Sequence, residues 1–189
     1  MKITRNYSDF VLKENLINSQ LKEFSKSGVD IKHKKIVDDL NLDNSYDVYW
    51  GRNKESNHFL TSNFCGKYAK SIGGVASSVQ DIWLHASGYP GSHVLVKAIK
   101  DDIIPHDILK KAAEIAKKNS KAKDNNFAEI VWCYKDRVSI NPPIEVENKI
   151  KELKNKSYRT KEEDAFIESH QPTVGRAFIE NKDRNIIHI

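Results

Sequence analysis

Two histidines, His85 and His93, lie on either side of a loop that is rich in turn-forming residues. The loop contains Gly88, Pro90 and Gly91, and the runs before and after it alternate as β-strands do. This pattern is typical of a β-hairpin with a longer connection. Imidazoles can hydrogen-bond a loop backbone and hold a turn, or they can stack on nucleobases, donate to phosphate groups and transfer protons. The hairpin is therefore the first candidate site.

Strand pairing that is symmetrical about the loop predicts which side chains of the hairpin meet. His85 then faces His93, and two further pairs share that face: Trp83 with Leu95, and Asp81 with Lys97. The opposite face is aliphatic and consists of Ile82, Leu84, Val94 and Val96. We expect the aliphatic face to join the core and the polar face to meet a polar, planar partner. A register shift of one residue would turn one strand's whole set to the other face.

A second group of candidates follows the predicted strand 46–50. A glycine allows a tight turn there, so Arg52 and Asn53 project from a strand end. The guanidinium fork of Arg52 suits a phosphate group, and an ion pair with Asp81 is the alternative. Asn53 and Asn57 are candidate ligand contacts or, in the structural alternative, turn and helix caps.

Five further side chains complete the candidate set. Ser92, beside glycine-permitted turns, can present its hydroxyl and backbone amide to a phosphate. Trp83 is either a site residue or an aromatic packed under the N-terminal helices. Lys97, Lys121 and Lys123 are ordinary surface lysines unless they share a face with the hairpin.

Composition sets limits on the class of protein. The 189 residues carry a net charge of +5 and a mean hydropathy of -0.63, with a pI near 9.0. A basic chain favours polyanionic partners, nucleic acid first. No apolar run approaches the ~20 residues that span a bilayer, and the N-terminus lacks the apolar stretch of a signal peptide, so we expect a cytoplasmic protein without a membrane partner. Cys65 and Cys133 lack metal-type spacing and are predicted to be buried free thiols.

Periodicity along the chain predicts an α+β fold, with a largely antiparallel central sheet packed by helices and additional N-terminal helices. The predicted helices cover Ser8–Phe24 ended by Gly28, a short pattern with Ile36, Val37 and Leu40, residues 54–72, a helix opened by Pro105, one after Pro143, and one capped by Thr160 and Glu163. The predicted strands, besides 46–50 and the hairpin, are a buried inner strand Phe127–Tyr134 and two short terminal strands, Arg176–Ile179 and Asn185–Ile189.

Six short motifs together resemble the NFACT-R domain, the C-terminal RNA-binding module of the NFACT proteins (the RqcH and NEMF group). They are Trp50-Gly51-Arg52-Asn53, Asn57-His58-Phe59-Leu60-Thr61, Asp81-Ile82-Trp83-Leu84-His85, Pro90-Gly91-Ser92-His93-Val94, Ala112-Ala113 with Ala116, and Ser120-Lys121-Ala122-Lys123. The resemblance covers about residues 46–140, and Gly175–Ile189 resembles the family's closing hairpin. The Asp-x-Trp-x-His and Pro-Gly-Ser-His-Val pair is its most specific part.

The resemblance implies binding to structured RNA. In full-length relatives the domain helps to hold tRNA on a large ribosomal subunit that carries a stalled nascent chain. The relatives' N-terminal domain, helix-hairpin-helix and coiled coil have no counterpart here, so we expect a stand-alone member. Residues 1–45 form an expected N-terminal helical extension, and 46–189 an NFACT-R-like domain with a helical insertion at about 141–170.

With the resemblance, RNA contact becomes the favoured role of the candidate residues. The predicted nucleic-acid-binding set is Arg52, Asn53, Asn57, Trp83, His85, Ser92, His93, Lys97, Lys121 and Lys123. The expected ligand is tRNA-like or ribosomal RNA, with the large ribosomal subunit as a further partner and a role related to ribosome-associated quality control.

Two other functions remain open at the level of sequence. One is a metal-independent RNA-processing enzyme with His85 and His93 as acid and base. No nucleophile and no third zinc ligand is evident near them, so we expect no catalytic residue, metal or cofactor. The other is a scaffold whose hairpin loop docks a protein, for which RNA binding would show little salt dependence.

Overall fold

The computed structural model describes residues 18–19, 21–42, 44–62, 64, 78–99 and 102–189. The strands in these ranges are β1 (Ile31–Val37), β2 (Ser45–Gly51), β3 (Ile82–Ala86), β4 (Val94–Val96), β5 (Glu129–Tyr134), β6 (Val138–Ser139), β7 (Phe178–Ile179) and β8 (Asn185–His188). The main helices are α1 (Lys54–Ser62), α2 (His106–Lys118), α3 (Ile144–Lys154) and α4 (Lys161–His170). A further helical segment covers 21–26.

One antiparallel sheet organises the fold. Its six strands lie in the order β1-β2-β4-β3-β5-β8, and β6 pairs with β7 in a separate two-stranded sheet. Helix α2 packs on one face of the large sheet through three buried alanines, which allow the helix to approach closely. The predicted α+β class with an antiparallel central sheet is confirmed.

The hairpin of β3 and β4 has the predicted register. Trp83 lies opposite Leu95, and Leu84 lies opposite Val94. The aliphatic face of both strands is buried in the main core together with α2. A slip of one residue would bring these aliphatic side chains out of that core, which is the physical reason for the observed register.

The other face of the hairpin is not an open surface. Trp83 is only 2% exposed, and Leu95 is fully buried against Leu60 of α1 and Phe64. The predicted charge pair is present, since the ammonium of Lys97 bonds the fully buried carboxylate of Asp81. The sequence pattern correctly grouped these side chains on one face, but α1 and Phe64 cover that face.

One predicted helix is a strand. The pattern of Ile36, Val37 and Leu40 predicted a helix, whereas residues Ile31–Val37 form β1 and pair with β2 along seven residues. β-branched residues favour extended backbone, and the hydrogen bonds to a distant strand outweigh local helix preference. The lysines of β1 also protect an exposed sheet edge from pairing with other chains.

The terminal strands do not form a hairpin with each other. β7 pairs with β6, and β8 pairs with β5 at the edge of the large sheet. A 3-10 turn, Asn181–Asp183, carries the chain from one sheet to the other. The resemblance of Gly175–Ile189 to a closing hairpin is therefore not matched by the strand pairing.

The remaining predicted elements are confirmed in position, with shifted ends. α2 follows Pro105, α3 follows Pro143, and Thr160 and Glu163 form a reciprocal capping box at α4. β5 is an inner strand, although it begins at Glu129 and Phe127 is exposed.

Two predictions fall partly outside the described residues. Of the predicted helix Ser8–Phe24, the described residues 21–24 are helical, and Gly28 follows with φ at 86°. α1 ends at Ser62, and residues 65–77, with Cys65, lie outside the described ranges.

Cys133 is a buried free thiol, and burial raises its pKa to about 12. Among the described residues no helix is long and apolar enough to cross a membrane.

The buried ion pair generates a stability prediction. Lys97→Met should lower the free energy of unfolding by about 3 kcal/mol, because it leaves the Asp81 carboxylate buried without its partner charge. Lys111→Met is the matched control, since Lys111 pairs with Asp39 at 2.7 Å on the surface and should matter little. Urea denaturation of both variants checks this, and equal losses would contradict it.

Candidate functional site

Asn53 begins helix α1 at the end of β2. Its side-chain oxygen accepts a hydrogen bond from the backbone N–H of Ser56 at 2.8 Å, which is the bond of a helix N-cap. Its side-chain nitrogen donates to the carbonyl of Gly28 at 2.8 Å. Both polar ends of Asn53 are therefore used within the fold, as the capping alternative predicted.

Asn57 ties α1 to the hairpin loop. Its side-chain nitrogen donates to the carbonyl of Gly91 at 2.9 Å, and its side-chain oxygen accepts from the N–H of His93 at 2.9 Å. A single amide thus pairs with the backbone on both sides of Ser92, in the way that a neighbouring strand would. The loop is held by Asn57 at the point where the hairpin ladder ends.

Two segments approach the loop end of the sheet closely, and each approach requires a glycine. A Cβ on Gly51 would lie 2.5 Å from the side-chain oxygen of Asn57, and a Cβ on Gly91 would lie 2.5 Å from the Cβ of Ser120. Real Cβ atoms do not approach other heavy atoms so closely. Gly51 therefore makes room for α1, and Gly91 makes room for the segment that follows α2.

His93 lies beneath the loop and is 3% exposed. Its Nδ1 is 2.7 Å from the hydroxyl of Thr61 and 3.1 Å from the carbonyl of Asn57. The indole N–H of Trp83 donates to the same hydroxyl at 3.1 Å. Burial, and secondarily the neighbouring His85, lower the pKa of His93 to about 3. His93 is consequently neutral at physiological pH and belongs to a buried polar cluster.

His85 is the more accessible of the two imidazoles. Its ring centre is 5.1 Å from that of His93, and its Nδ1 lies 3.3 Å from the carbonyl of Ser92. Burial lowers the pKa of His85, and hydrogen bonds to the carbonyls of Ser92 and Tyr89 act in the opposite direction. The ring is half-buried and holds the loop, and its outer edge faces a cleft beside the hairpin.

Ser92, Trp83 and Lys97 are buried by the surrounding elements. The Ser92 hydroxyl donates to the carbonyl of Gly51, and its amide donates to Asn119 at 3.0 Å. Lys97 lies at the end of the hairpin away from the loop, where it bonds Asp81. In this structure Ser92 and Trp83 support the loop from within, while Lys97 stabilises the opposite end of the hairpin. Direct contact with RNA stays a prediction for all three.

Three cationic candidates lie on the surface near the loop. The backbone N–H of Lys121 donates to the carbonyl of Pro90 at 2.9 Å, so Lys121 and Lys123 flank the loop, and both side chains are exposed. Arg52 projects from the end of β2 with its side chain 57% exposed. It lies 3.7 Å from Asp30, which replaces the predicted alternative pair with Asp81.

Sequence reasoning missed an aromatic residue at the loop. Tyr89 is 40% exposed at the tip, and its hydroxyl accepts a hydrogen bond from Asn125 at 3.1 Å. The run Gly88-Tyr89-Pro90 carried the signal, because an aromatic residue between turn residues is bound to be presented at the surface.

It also missed an arginine and the cleft that it lines. Arg184 donates to the hydroxyl of Ser87 at 2.8 Å, a contact between residues 97 positions apart that no local pattern indicates. The cleft has a volume of about 820 Å³ and lies between the hairpin, the start of α3, the end of α4 and residues 176–184. Among the described residues no group of three His, Cys, Asp or Glu side chains could hold a metal ion.

One known protein family matches more than half of the chain. Residues 39–146 match the family described as the NFACT protein RNA binding domain. The chain belongs to this family. The matched region contains the hairpin, α1, α2 and all ten candidate residues, while the cleft is completed by residues of α4 and 176–184 that lie beyond it.

Two individual proteins show how far the likeness extends. The Rqc2 homolog RqcH of Bacillus subtilis is 28% identical over 94 residues, which are 50% of this chain and 14% of that protein. The solved C-terminal part of the fibronectin/fibrinogen-binding protein from Streptococcus suis has a TM-score of 0.50 and 18% identity, and the match covers 84% of this chain and 45% of that one. The chain therefore spans less than half the length of each of these two proteins, and the second likeness shows the fold alone.

The glycine contacts generate a second prediction. Gly91→Ala should lower the free energy of unfolding by about 2 kcal/mol, because the new methyl group forces the Ser120 segment away from the loop. Gly88→Asn is the control: Gly88 has φ at 73° with open space around it, and Asn tolerates that conformation. Thermal unfolding of both variants is the measurement, and a neutral Gly91→Ala would contradict the close packing.

The buried imidazole generates a pH prediction. The folded-state pKa of His93 lies below the unfolded value near 6.5. The contribution of the neutral imidazole to folding stability is therefore complete above pH 6.5 and is lost as the pH falls toward 3. We expect the unfolding free energy to fall by about 2 kcal/mol between pH 7.5 and pH 5 on this account.

Urea denaturation at several pH values checks the effect. The dependence of the unfolding free energy on pH should become weaker in His93→Gln. It should stay unchanged in His106→Gln, because His106 is exposed. A slope that is the same in wild type and His93→Gln would contradict the assignment.

Proposed function

We propose that this protein binds RNA through the loop end of the six-stranded sheet. The surface consists of Arg52, the tip residue Tyr89, the outer edge of His85, and Lys121 with Lys123. The single observation that carries the proposal is the position of three exposed cations and an exposed aromatic residue around a loop fixed by Asn57, within the region that matches an RNA-binding domain family.

The chemistry of this surface suits RNA. Arginine and lysine contact phosphates, and an exposed tyrosine or imidazole stacks on unpaired bases. The loop itself is anchored on both sides, to Asn57 and to Ser120, so little ordering of the loop would accompany binding. Among the buried candidates, Trp83, His93 and Ser92 would act by holding this loop in shape, and Lys97 by stabilising the far end of the hairpin.

We further propose folded RNA, tRNA-like or ribosomal, as the ligand. The support is the likeness to RqcH over half of this chain, together with a surface that combines phosphate contacts with a stacking position. A role of this kind belongs to the cytoplasm, beside the large ribosomal subunit, and to ribosome-associated quality control.

The geometry does not favour acid-base catalysis by the two histidines. An acid-base catalyst must reach the substrate and exchange a proton near the working pH. His93 is buried under the loop, and burial lowers its pKa to about 3. The two rings are close enough to interact, but only His85 reaches the surface.

RNA binding by surface variants tests the proposal. Arg52→Ala and the double variant Lys121→Ala/Lys123→Ala should bind tRNA about tenfold more weakly than wild type. The double variant should also lower the slope of log affinity against log salt by about two, one unit for each lost phosphate contact. Fluorescence anisotropy with labelled tRNA and an unstructured RNA at several salt concentrations gives both values.

The control is Lys151→Ala, which removes an exposed lysine of α3 that pairs with Glu147. Salt-insensitive binding, or equal losses in the control and the loop variants, would contradict the proposed surface. Running the recovered RNA on a gel distinguishes binding from cleavage. If wild type shortens the RNA and His85→Ala does not, the RNA-processing enzyme is favoured over the binding protein.

A further inference from the structure

A cleft of about 820 Å³ opens directly beside the proposed RNA surface. One wall is the hairpin face with Trp83 and His85, and the opposite walls come from α3, the end of α4 and residues 176–184. The bond from Arg184 to Ser87 joins the far wall to the start of the hairpin loop. The cleft and the loop therefore form one continuous surface.

The lining of the cleft combines apolar and cationic groups. Phe178 and Ile144 offer apolar surface, and Ile144 is 65% exposed at the mouth. Arg184 uses one N–H for Ser87, and Arg176 uses Nη1 for two carbonyls near the end of α4. Within the described residues neither guanidinium forms an ion pair, so both keep donors for an anion.

The charge balance of the cleft favours an anion. Two carboxylates also line it, but Glu180 pairs with Lys182 at 2.7 Å. This leaves Glu145 against the two guanidinium groups, and burial lowers the pKa of the neighbouring His85. A ligand with a flat apolar part and a negative charge fits these walls, and the volume is that of a small-molecule site.

We propose that this cleft holds one unpaired nucleotide of the bound RNA. The base lies against Phe178 and Ile144, and the adjoining phosphate binds Arg184 and Arg176. This inference rests on the proposed function and adds to it the class of RNA that is preferred, namely a folded RNA with an extruded nucleotide next to a helix. The continuity of cleft and loop favours a nucleotide within RNA over a free one.

Three RNA hairpins of the same sequence test this inference. One carries a single bulged adenosine, one carries an abasic residue at the bulge, and one is fully paired. Wild type should bind the adenosine bulge about tenfold more tightly than the abasic bulge, because the base contributes its stacking energy. Fluorescence anisotropy at one fixed salt concentration gives the three affinities, and AMP is titrated separately.

Two variants locate the effect. Arg184→Gln and Ile144→Ala should each bring the preference for the adenosine bulge close to onefold while leaving binding of the paired hairpin nearly unchanged. Arg159→Gln is the matched control and should keep the preference. It removes the same charge at the opposite end of α4, a helix about 15 Å long whose other end lines the cleft.

Each other outcome has a definite meaning. Salt-sensitive binding with equal affinity for the adenosine and abasic bulges would overturn the cleft assignment and leave the proposed function standing. Failure to bind any of the RNAs would overturn both. Saturable AMP binding that is lost in Arg184→Gln, without a preference among the hairpins, would assign the cleft to a free nucleotide and overturn its assignment to RNA.

Discussion

The architecture of the site depends on one side-chain amide. Asn57 bonds the backbone of Gly91 and His93 and so takes the place of a strand beside the hairpin loop. Both hydrogen bonds are partly buried, so losing one would leave a partly buried polar group without its partner. The amide reaches the loop only because Gly51 carries no side chain, and Gly91 lets the Ser120 segment approach the loop from the other side. With α1 fixed there, the polar face of the hairpin becomes interior, and only the loop and its flanks remain at the surface.

That interior contains a network of hydrogen-bonded polar side chains. Trp83 and His93 share the hydroxyl of Thr61, whose carbonyl accepts from Lys135 at 2.7 Å, and Asp81 accepts bonds from Lys97 and from backbone amides. A buried polar network of this kind tolerates few alternative arrangements, because each broken hydrogen bond leaves a polar group without its partner. The residues that gave the sequence its most distinctive motifs thus define the shape of the loop. A rigid loop presents its backbone and tip to a ligand at little entropic cost.

The sequence predicted what depends on near neighbours. The register of β3 and β4, the capping box of α4 and the Asn53 cap each follow from residues within about 16 positions. Predictions failed where a segment distant in sequence determines the secondary structure, the strand pairing or the burial of a residue. β1 is a strand because β2 pairs with it. The terminal strands separate because β7 pairs with β6 and β8 with β5, and the hairpin's second face is interior because α1 lies on it. Alternation predicted which side chains share that face, but no local pattern indicates what covers it.

The two imidazoles illustrate why residue type alone does not decide function. They are equivalent in the sequence pattern, with mirrored positions about one loop, and their rings lie within 5.1 Å. Their surroundings differ, because α1 covers His93 while the cleft leaves the edge of His85 open. A catalytic pair would need both rings to reach the substrate and one to gain a proton near neutral pH, whereas burial disfavours the charged form of each. A binding role makes no such demand: a neutral imidazole can hold the loop with one nitrogen and meet a base or phosphate at its open edge. The asymmetry between the rings is therefore compatible with a binding loop and unfavourable for an acid-base pair.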